Sequence, residues 1–306
     1  MTGTCVLALD VGGTGMKGAA VGPDHAPLAS VRVPTPVGAD ATLAAIRSAL
    51  AELGEQALQA GHRPVAAGVV VPGVIDEQRG VAVLAANLGW RDLPLRDILT
   101  AELGIPVALG HDVRAGGLAE FRLGAGRGAS DALFVAIGTG IAGALLLDGR
   151  PYAGGGPVGE IGHVVVDPAG PACGCGQRGC LETLSSATAI AGAYRARTGR
   201  RPAGAEEVAR LVAAGDPDAV AVWDAAVAAL ARVLVGYAAV LAPELVVVGG
   251  GLARAGDLLL DPLRAAVDAA VTFHRRPRIV PAALGDHAGR TGAALLAWHC
   301  LDTRPR

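Results

Sequence analysis

Residues 11–21, VGGTGMKGAAV, and residues 137–147, IGTGIAGALLL, match one another when Thr14 is set on Thr139. Gly13, Gly15, Gly18 and Ala19 then fall on Gly138, Gly140, Gly143 and Ala144. Both stretches read as strand, Gly-Thr-Gly, strand and turn, because small and β-branched residues run on past the glycines and end in Gly22-Pro23-Asp24 or Asp148-Gly149-Arg150. The same unit repeated some 125 positions later predicts two related domains, each presenting a Gly-rich hairpin to a shared cleft.

GTGMKG (13–18) and GTGIAG (138–143) both satisfy G-x-G-x-x-G. A dinucleotide-binding turn, however, must open a helix and be followed by an acid about 20 residues later. Position 33 is Val, and Glu160 follows the loop GGGPVG (154–159) rather than a helix, so that reading fails. What such hairpins offer is backbone N–H groups and a threonine hydroxyl within reach of phosphate oxygens, with no Cβ to block the approach. The chain's one lysine, Lys17, stands in the first loop while 25 arginines are spread elsewhere. It is either a phosphate ligand or a solvated strand-edge cation.

The chain has 306 residues, 52% hydrophobic and 18% charged, with 45 glycines and few aromatics, which describes a globular enzyme with a core of small side chains and room for two domains. A formal charge of −2 provides no field for a polyanion, so no nucleic-acid partner is expected. The N-terminus reaches Asp10 without a basic region or cleavable apolar stretch and does not read as a signal peptide. The longest uncharged apolar run, 132–147, is broken by three glycines and falls short of the ~20 residues that span a bilayer. A cytoplasmic chain with no membrane partner is the expectation.

Beyond the first hairpin the pattern alternates. Residues 40–61 have the spacing of an amphipathic helix, 64–76 a buried strand ending in a Pro-Gly turn, 95–104 a short helix, 105–112 a strand and 114–124 a helix. After the second hairpin, 218–243 reads as one or two long helices, 244–253 as a strand running into Gly249, Gly250 and Gly251, and 291–301 as a final helix. Three of five cysteines fall in CGCGQRGCLE (173–182), as a disulfide staple, a metal site or a chance cluster. Reduced thiols in a non-secreted chain weigh against the disulfide and favour metal.

LALDVGGTGMKGAAV (7–21), NLGW (87–90), IGTGIAGALL (137–146), GEIGHVVVD (159–167) and CGCGQRGCLE, in that order, make the chain similar to the ROK family of sugar kinases and repressors nearly end to end. The resemblance implies an α/β, two-domain actin/hexokinase-like (ribonuclease H-like) fold with a cleft. The small domain would be 1–115 plus 291–306 and the large one 116–290. His163, Cys173, Cys175 and Cys180 look like the family's zinc ligands, and a closed Cys3His set with no open position is the signature of structural Zn2+. Glu160, His163 and Glu182 resemble the sugar-binding residues, with Asn87 on sugar or pocket wall. Asp112, in GHDVRAGG (110–117), looks like the base that takes the proton from the attacking sugar hydroxyl. By the same resemblance Asp10 helps hold Mg2+ through water, and ATP phosphates lie against Gly12, Gly13, Thr14, Lys17, Gly138, Thr139, Gly140 and Gly249–251.

One departure stands out: His111 occupies the position before the base where the family usually has Asn, and this puts the identity of the sugar in question. Retention of Asp10, both hairpins and Asp112 favours catalysis over a sugar sensor. The resemblance thus implies an ATP-dependent hexose 6-kinase, foremost a glucokinase. Alternatives are a kinase of N-acetylmannosamine, N-acetylglucosamine, mannose or fructose, a polyphosphate-using enzyme, or a non-catalytic sensor; a homodimer or homotetramer is expected.

Overall fold

The computed structural model describes residues 3–154 and 158–302, so part of the GGGPVG loop and both chain ends lie outside the described residues. The chain divides into two compact units. Unit 1 covers residues up to Ala119, a short segment around Ala153, and Asp286 onward; unit 2 covers Glu120–Tyr152 and Val158–Gly285.

Unit 1 begins with β1 (Gly3–Val11), β2 (Gly15–Val21) and β3 (Pro27–Pro34), followed by α1 (Ala39–Gln59) and β4 (His62–Val71). A hairpin sheet of β5 (Val74–Asp76), β6 (Val81–Ala85) and β7 (Trp90–Leu93) leads to α2 (Leu95–Leu103), β8 (Val107–His111) and α3 (Asp112–Leu123). The main sheet runs β3-β2-β1-β4-β8, its first two pairings antiparallel and its last two parallel.

β1 reads as an unbroken apolar run because both faces are covered. Leu7, Leu9 and Val11 pack with Ile46, Leu50 and Leu53 of α1. Val6 and Ala8 point the other way, toward Ala293, Ala294 and Ala297 of the helix at 288–302. That second face is built for close approach: a Cβ on Gly68 of β4 would strike the Ala293 carbonyl, and one on Gly110 of β8 would lie 2.6 Å from Leu296.

Unit 2 contains β9 (Ala132–Ile137), β10 (Ile141–Leu147) and β11 (Arg150–Tyr152), then α4 (Glu182–Ser185), α5 (Ala187–Thr198), α6 (Ala205–Ala213) and α7 (Pro217–Leu241). β12 (Leu245–Gly249), α8 (Asp257–Ala270) and β13 (Arg278–Pro281) complete it. The sheet order, β11-β10-β9-β12-β13, with two antiparallel and then two parallel pairings, is the order and polarity of unit 1. The internal sequence match is therefore a repeat of topology. The final helix, α9 (Ala288–Asp302), belongs to unit 1.

Residues 217–241 form one helix, capped by Asp216, whose side chain accepts from the N–H groups of Asp218 and Ala219. By length and composition α7 is apolar enough to cross a bilayer. Its Trp223, Leu230 and Leu234 are instead core residues of unit 2.

Candidate active site

In unit 1 the β1–β2 loop closes through Gly12 N–H to the Gly15 carbonyl at 3.0 Å. Its brace, unmarked by any local motif, is Thr35, which donates its hydroxyl to the Gly12 carbonyl at 2.6 Å and its N–H to the Thr14 carbonyl at 3.2 Å. Asp10 and Lys17 are cross-strand partners. Lys17 Nζ lies 3.6 Å from Asp286 Oδ2, at the turn before α9. Gly289 in the first turn of α9 admits the Asp10 carboxylate, which a Cβ there would displace.

Burial, reinforced by the nearby charge of Asp112, pushes Asp10 up to about 7. Its unfolded value is about 3.9. The folded chain therefore holds a proton that the unfolded chain releases, and stability declines as pH rises from about 4 to about 7. Asp10→Asn is expected to raise the melting temperature of the ligand-free protein at pH 8 by several degrees, on the scale of roughly 2–4 °C per kcal/mol for a domain of this size, and to leave it unchanged at pH 4. Thermal unfolding at the two pH values checks this; an equal shift at both would contradict the burial argument.

β8 delivers His111 at its last position, and Asp112 opens α3. Asp112 Oδ1 accepts the Val113 N–H at 2.7 Å, which fixes one edge of the carboxylate in the manner of a helix cap. The side chain remains 27% exposed, enough to meet a substrate. His111 is buried, its Nδ1 3.4 Å from Asp112 Oδ1 and 3.4 Å from the Arg114 backbone nitrogen. Asn87, in a short 3-10 turn at 86–88, is exposed, while Trp90 is buried and donates its Nε1–H to the Ala39 carbonyl, as a packing residue does.

In unit 2 the second loop closes one position tighter: Gly138 N–H donates to the Gly140 carbonyl at 2.9 Å, and Ala187 N–H to the Gly138 carbonyl at 2.9 Å. Thr139 stands at its tip. Gly250, at φ 81°, backs onto the Ile137 backbone at the foot of this loop, a conformation and a spacing that a side chain would spoil. Glu182 Oε2 accepts the Ile141 N–H at 2.9 Å, so the carboxylate is tied to the second Gly-Thr-Gly loop.

The imidazole of His163 joins two groups. Its Nε2 lies 3.9 Å from Glu160 Oε2, and its Nδ1 lies 3.5 Å from Cys173 Sγ. The ligand atoms of His163, Cys173, Cys175 and Cys180 all lie within 4.8 Å of one another. Cys175 and Cys180 sulfurs are 3.6 Å apart, far beyond the ~2.05 Å of a disulfide. Donors at 2.0–2.3 Å around a tetrahedral metal lie roughly 3.5–3.8 Å from each other. The spacing fits a four-coordinate metal group, and the staple reading falls away.

A cavity of about 860 Å³ opens beside the second loop, lined by Gly138, Thr139 and Gly251 on one side and by Ala205, Glu206, Arg210, Arg254 and Leu258 on the other. Its outer wall, on α6 and the 252–258 segment, was missed in the sequence. The available signals were the Ser186 cap, whose Oγ accepts from Ala189 N–H, and the acidic first turn of α6 at Glu206 and Glu207.

Two sheets of one strand order, each turning through a Gly-Thr-Gly loop, with a carboxylate at a strand end in one unit and a glycine-walled cavity in the other, define the actin- and hexokinase-like class of two-domain folds. The chain belongs to the ROK family, which it matches over residues 6–299. It is 33% identical to a glucokinase of Streptomyces coelicolor over 95% of this chain and 96% of the relative. It is 34% identical to an N-acetylmannosamine kinase of Escherichia fergusonii, covering 95% and 97%. The ROK family glucokinase of Streptomyces griseus, solved with glucose and AMPPNP, superposes with a TM-score of 0.84 at 30% identity, covering 96% of this chain and 99% of that one.

Proposed function

We propose that this chain is a sugar kinase that moves the γ-phosphoryl group of ATP to the 6-hydroxyl of a hexose, with glucose as substrate. The observation that carries the reading is the cavity walled by Gly138, Thr139 and Gly251, a nucleotide-sized space entered by bare backbone, in a chain 33% identical to a glucokinase over nearly its whole length. Gly13 and Thr14, Thr139 and Gly140, and Gly249–Gly251 offer backbone to phosphate oxygens, Gly12 and Gly138 use their N–H groups to close the two loops and leave no Cβ in the way, and Lys17 adds charge. Asp112 orients the sugar hydroxyl and accepts its proton as the new O–P bond forms and the bond to the leaving diphosphate breaks. Asp10, deprotonated above about pH 7, suits a water-mediated hold on Mg2+, which neutralises phosphate charge when bound.

Glu160, Glu182 and His163 Nε2 serve the sugar hydroxyls, with Asn87 at the pocket wall. Structural Zn2+ on His163 Nδ1, Cys173, Cys175 and Cys180 fixes the ring that binds them. We place the enzyme in the cytoplasm, where these thiols stay reduced, as a homodimer or homotetramer.

The second reading, an N-acylhexosamine kinase, is favoured by His111, whose ring abuts the base at 3.4 Å, and by the N-acetylmannosamine kinase relative. Release of ADP from ATP and Mg2+ with a panel of hexoses and N-acyl hexosamines separates the two, and binding of sugar without ADP release would indicate a sensor. His111→Asn is expected to change the ranking of kcat/KM across that panel by about two- to tenfold, the scale of one rearranged hydrogen bond, with KM for ATP steady. A uniform change for all sugars would reduce His111 to a support for the strand end.

A further inference from the structure

The base stands at the end of an edge strand, and something outside the sheet holds it there. Among the described residues β8 is the edge of its sheet, beside β4, and the N–H of its last residue, His111, is met from outside the sheet. Glu77, 34 positions earlier in the turn after β5, supplies the acceptor: its Oε1 takes the His111 N–H at 3.2 Å. The same oxygen takes Nε and Nη2 of Arg114 at 3.0 and 2.8 Å, so one carboxylate grips the residue before Asp112 and the residue two after it. The Arg114 side chain is only 10% exposed, and its Nη2 also reaches the Ile75 carbonyl at 3.4 Å.

The turn carrying Glu77 is braced in its own right. Asp76 Oδ1 accepts the Arg79 N–H at 2.8 Å. From α2, the Arg96 guanidinium donates to the Gln78 and Arg79 carbonyls at 2.9 and 2.8 Å, and the Arg96 N–H donates to the Gly80 carbonyl at 3.1 Å. The chain of fixings thus runs from α2 through the 76–80 turn and Glu77 to both flanks of Asp112.

We propose that Glu77, together with Arg114, is a positioning residue for the phosphoryl transfer: it sets the Asp112 carboxylate against the sugar hydroxyl without touching substrate. This rests on the reading of Asp112 as the base. Because a displacement of about 1 Å at a reacting group costs on the order of 10²-fold, loss of this clamp acts on turnover. It also takes from the nearly buried Arg114 cation, two residues from the base, a carboxylate at 2.8 Å.

The test is a cycle on the full chain. Glu77→Ala is expected to lower kcat about tenfold or more, with KM for ATP within about twofold and zinc content unchanged. In an Asp112→Asn background the same change is expected to cost nothing further, since residues that act as a unit are not additive. Glu77→Gln, which keeps an acceptor for the His111 N–H, is expected to fall between parent and Glu77→Ala, and it carries the cycle if Glu77→Ala does not fold. An equal loss of kcat with and without the Asp112 carboxylate would overturn the positioning role while leaving the base in place. Parental turnover in Asp112→Asn alone would instead sink the base, and the clamp with it.

Discussion

Asp112→Asn is expected to lower turnover by at least about 10²-fold while sugar affinity stays within a few-fold. The amide matches the carboxylate in shape and can keep the acceptor role toward the Val113 N–H, so the start of α3 survives. What it loses is the capacity to take a proton from the alcohol as the bond to phosphorus forms. Pre-steady-state ADP release alongside equilibrium sugar binding separates the two quantities. Turnover equal to the parent's would remove Asp112 from the mechanism.

Purified protein is expected to contain about one zinc per chain, and stripping it with a chelator is expected to abolish sugar phosphorylation and loosen the 163–182 segment. The reason lies in what else holds that segment. Cys180 and Leu181 are buried and Gly179 presses onto the Asp167 backbone, but Cys175 is exposed and the stretch between the cysteines is largely glycine and polar side chains. In the proposed zinc site metal ligation takes the place of an apolar core, and structural zinc binding is worth roughly 10–16 kcal/mol in small sites. Because Glu182 follows Cys180 by two positions and also holds the Ile141 N–H, the loss is expected to reach the second Gly-Thr-Gly loop. Metal analysis of fresh protein, with hydrogen exchange before and after chelation, checks both parts; fresh protein without metal and with unaltered activity would dismiss the site.

Much of this arrangement was legible in the sequence because it is encoded locally. The Gly-Thr-Gly hairpins announce themselves through glycine and turn chemistry, and their repetition carried over into two sheets of identical strand order. The His/Cys cluster was legible because three of its four members sit within eight positions and the fourth ten residues earlier. Residues that act at a distance were not legible. Glu77 is an ordinary turn acid until β8 and α3 are placed beside it, and Thr35 is one of many loop threonines until its hydroxyl is seen on Gly12. The α6 wall of the cavity was hidden for a different reason: AEEVARLVA has the spacing of an amphipathic helix, but that spacing says only that one face is buried, not that the helix lines a cavity beside a loop far earlier in the chain.

The place of α9 in unit 1 has a consequence for how the chain comes into being. β1, β2, β4 and β8 leave the ribosome early, yet the face formed by Ala8, Gly68 and Gly110 is packed by residues 288–302, with Ala115 of α3 in the same cluster. At about 5–20 residues per second, roughly 10–40 s pass between Ala119 and the end of α9. During that interval the nascent sheet waits with one bare side, while residues 120–285 emerge and can collapse on their own core. The first sheet begun is thus the last completed, and Gly289, which makes room for Asp10, is among the last residues to arrive. Vectorial synthesis therefore withholds the Gly289 side of Asp10, beside the first Gly-Thr-Gly loop, until residues 120–285 have been made.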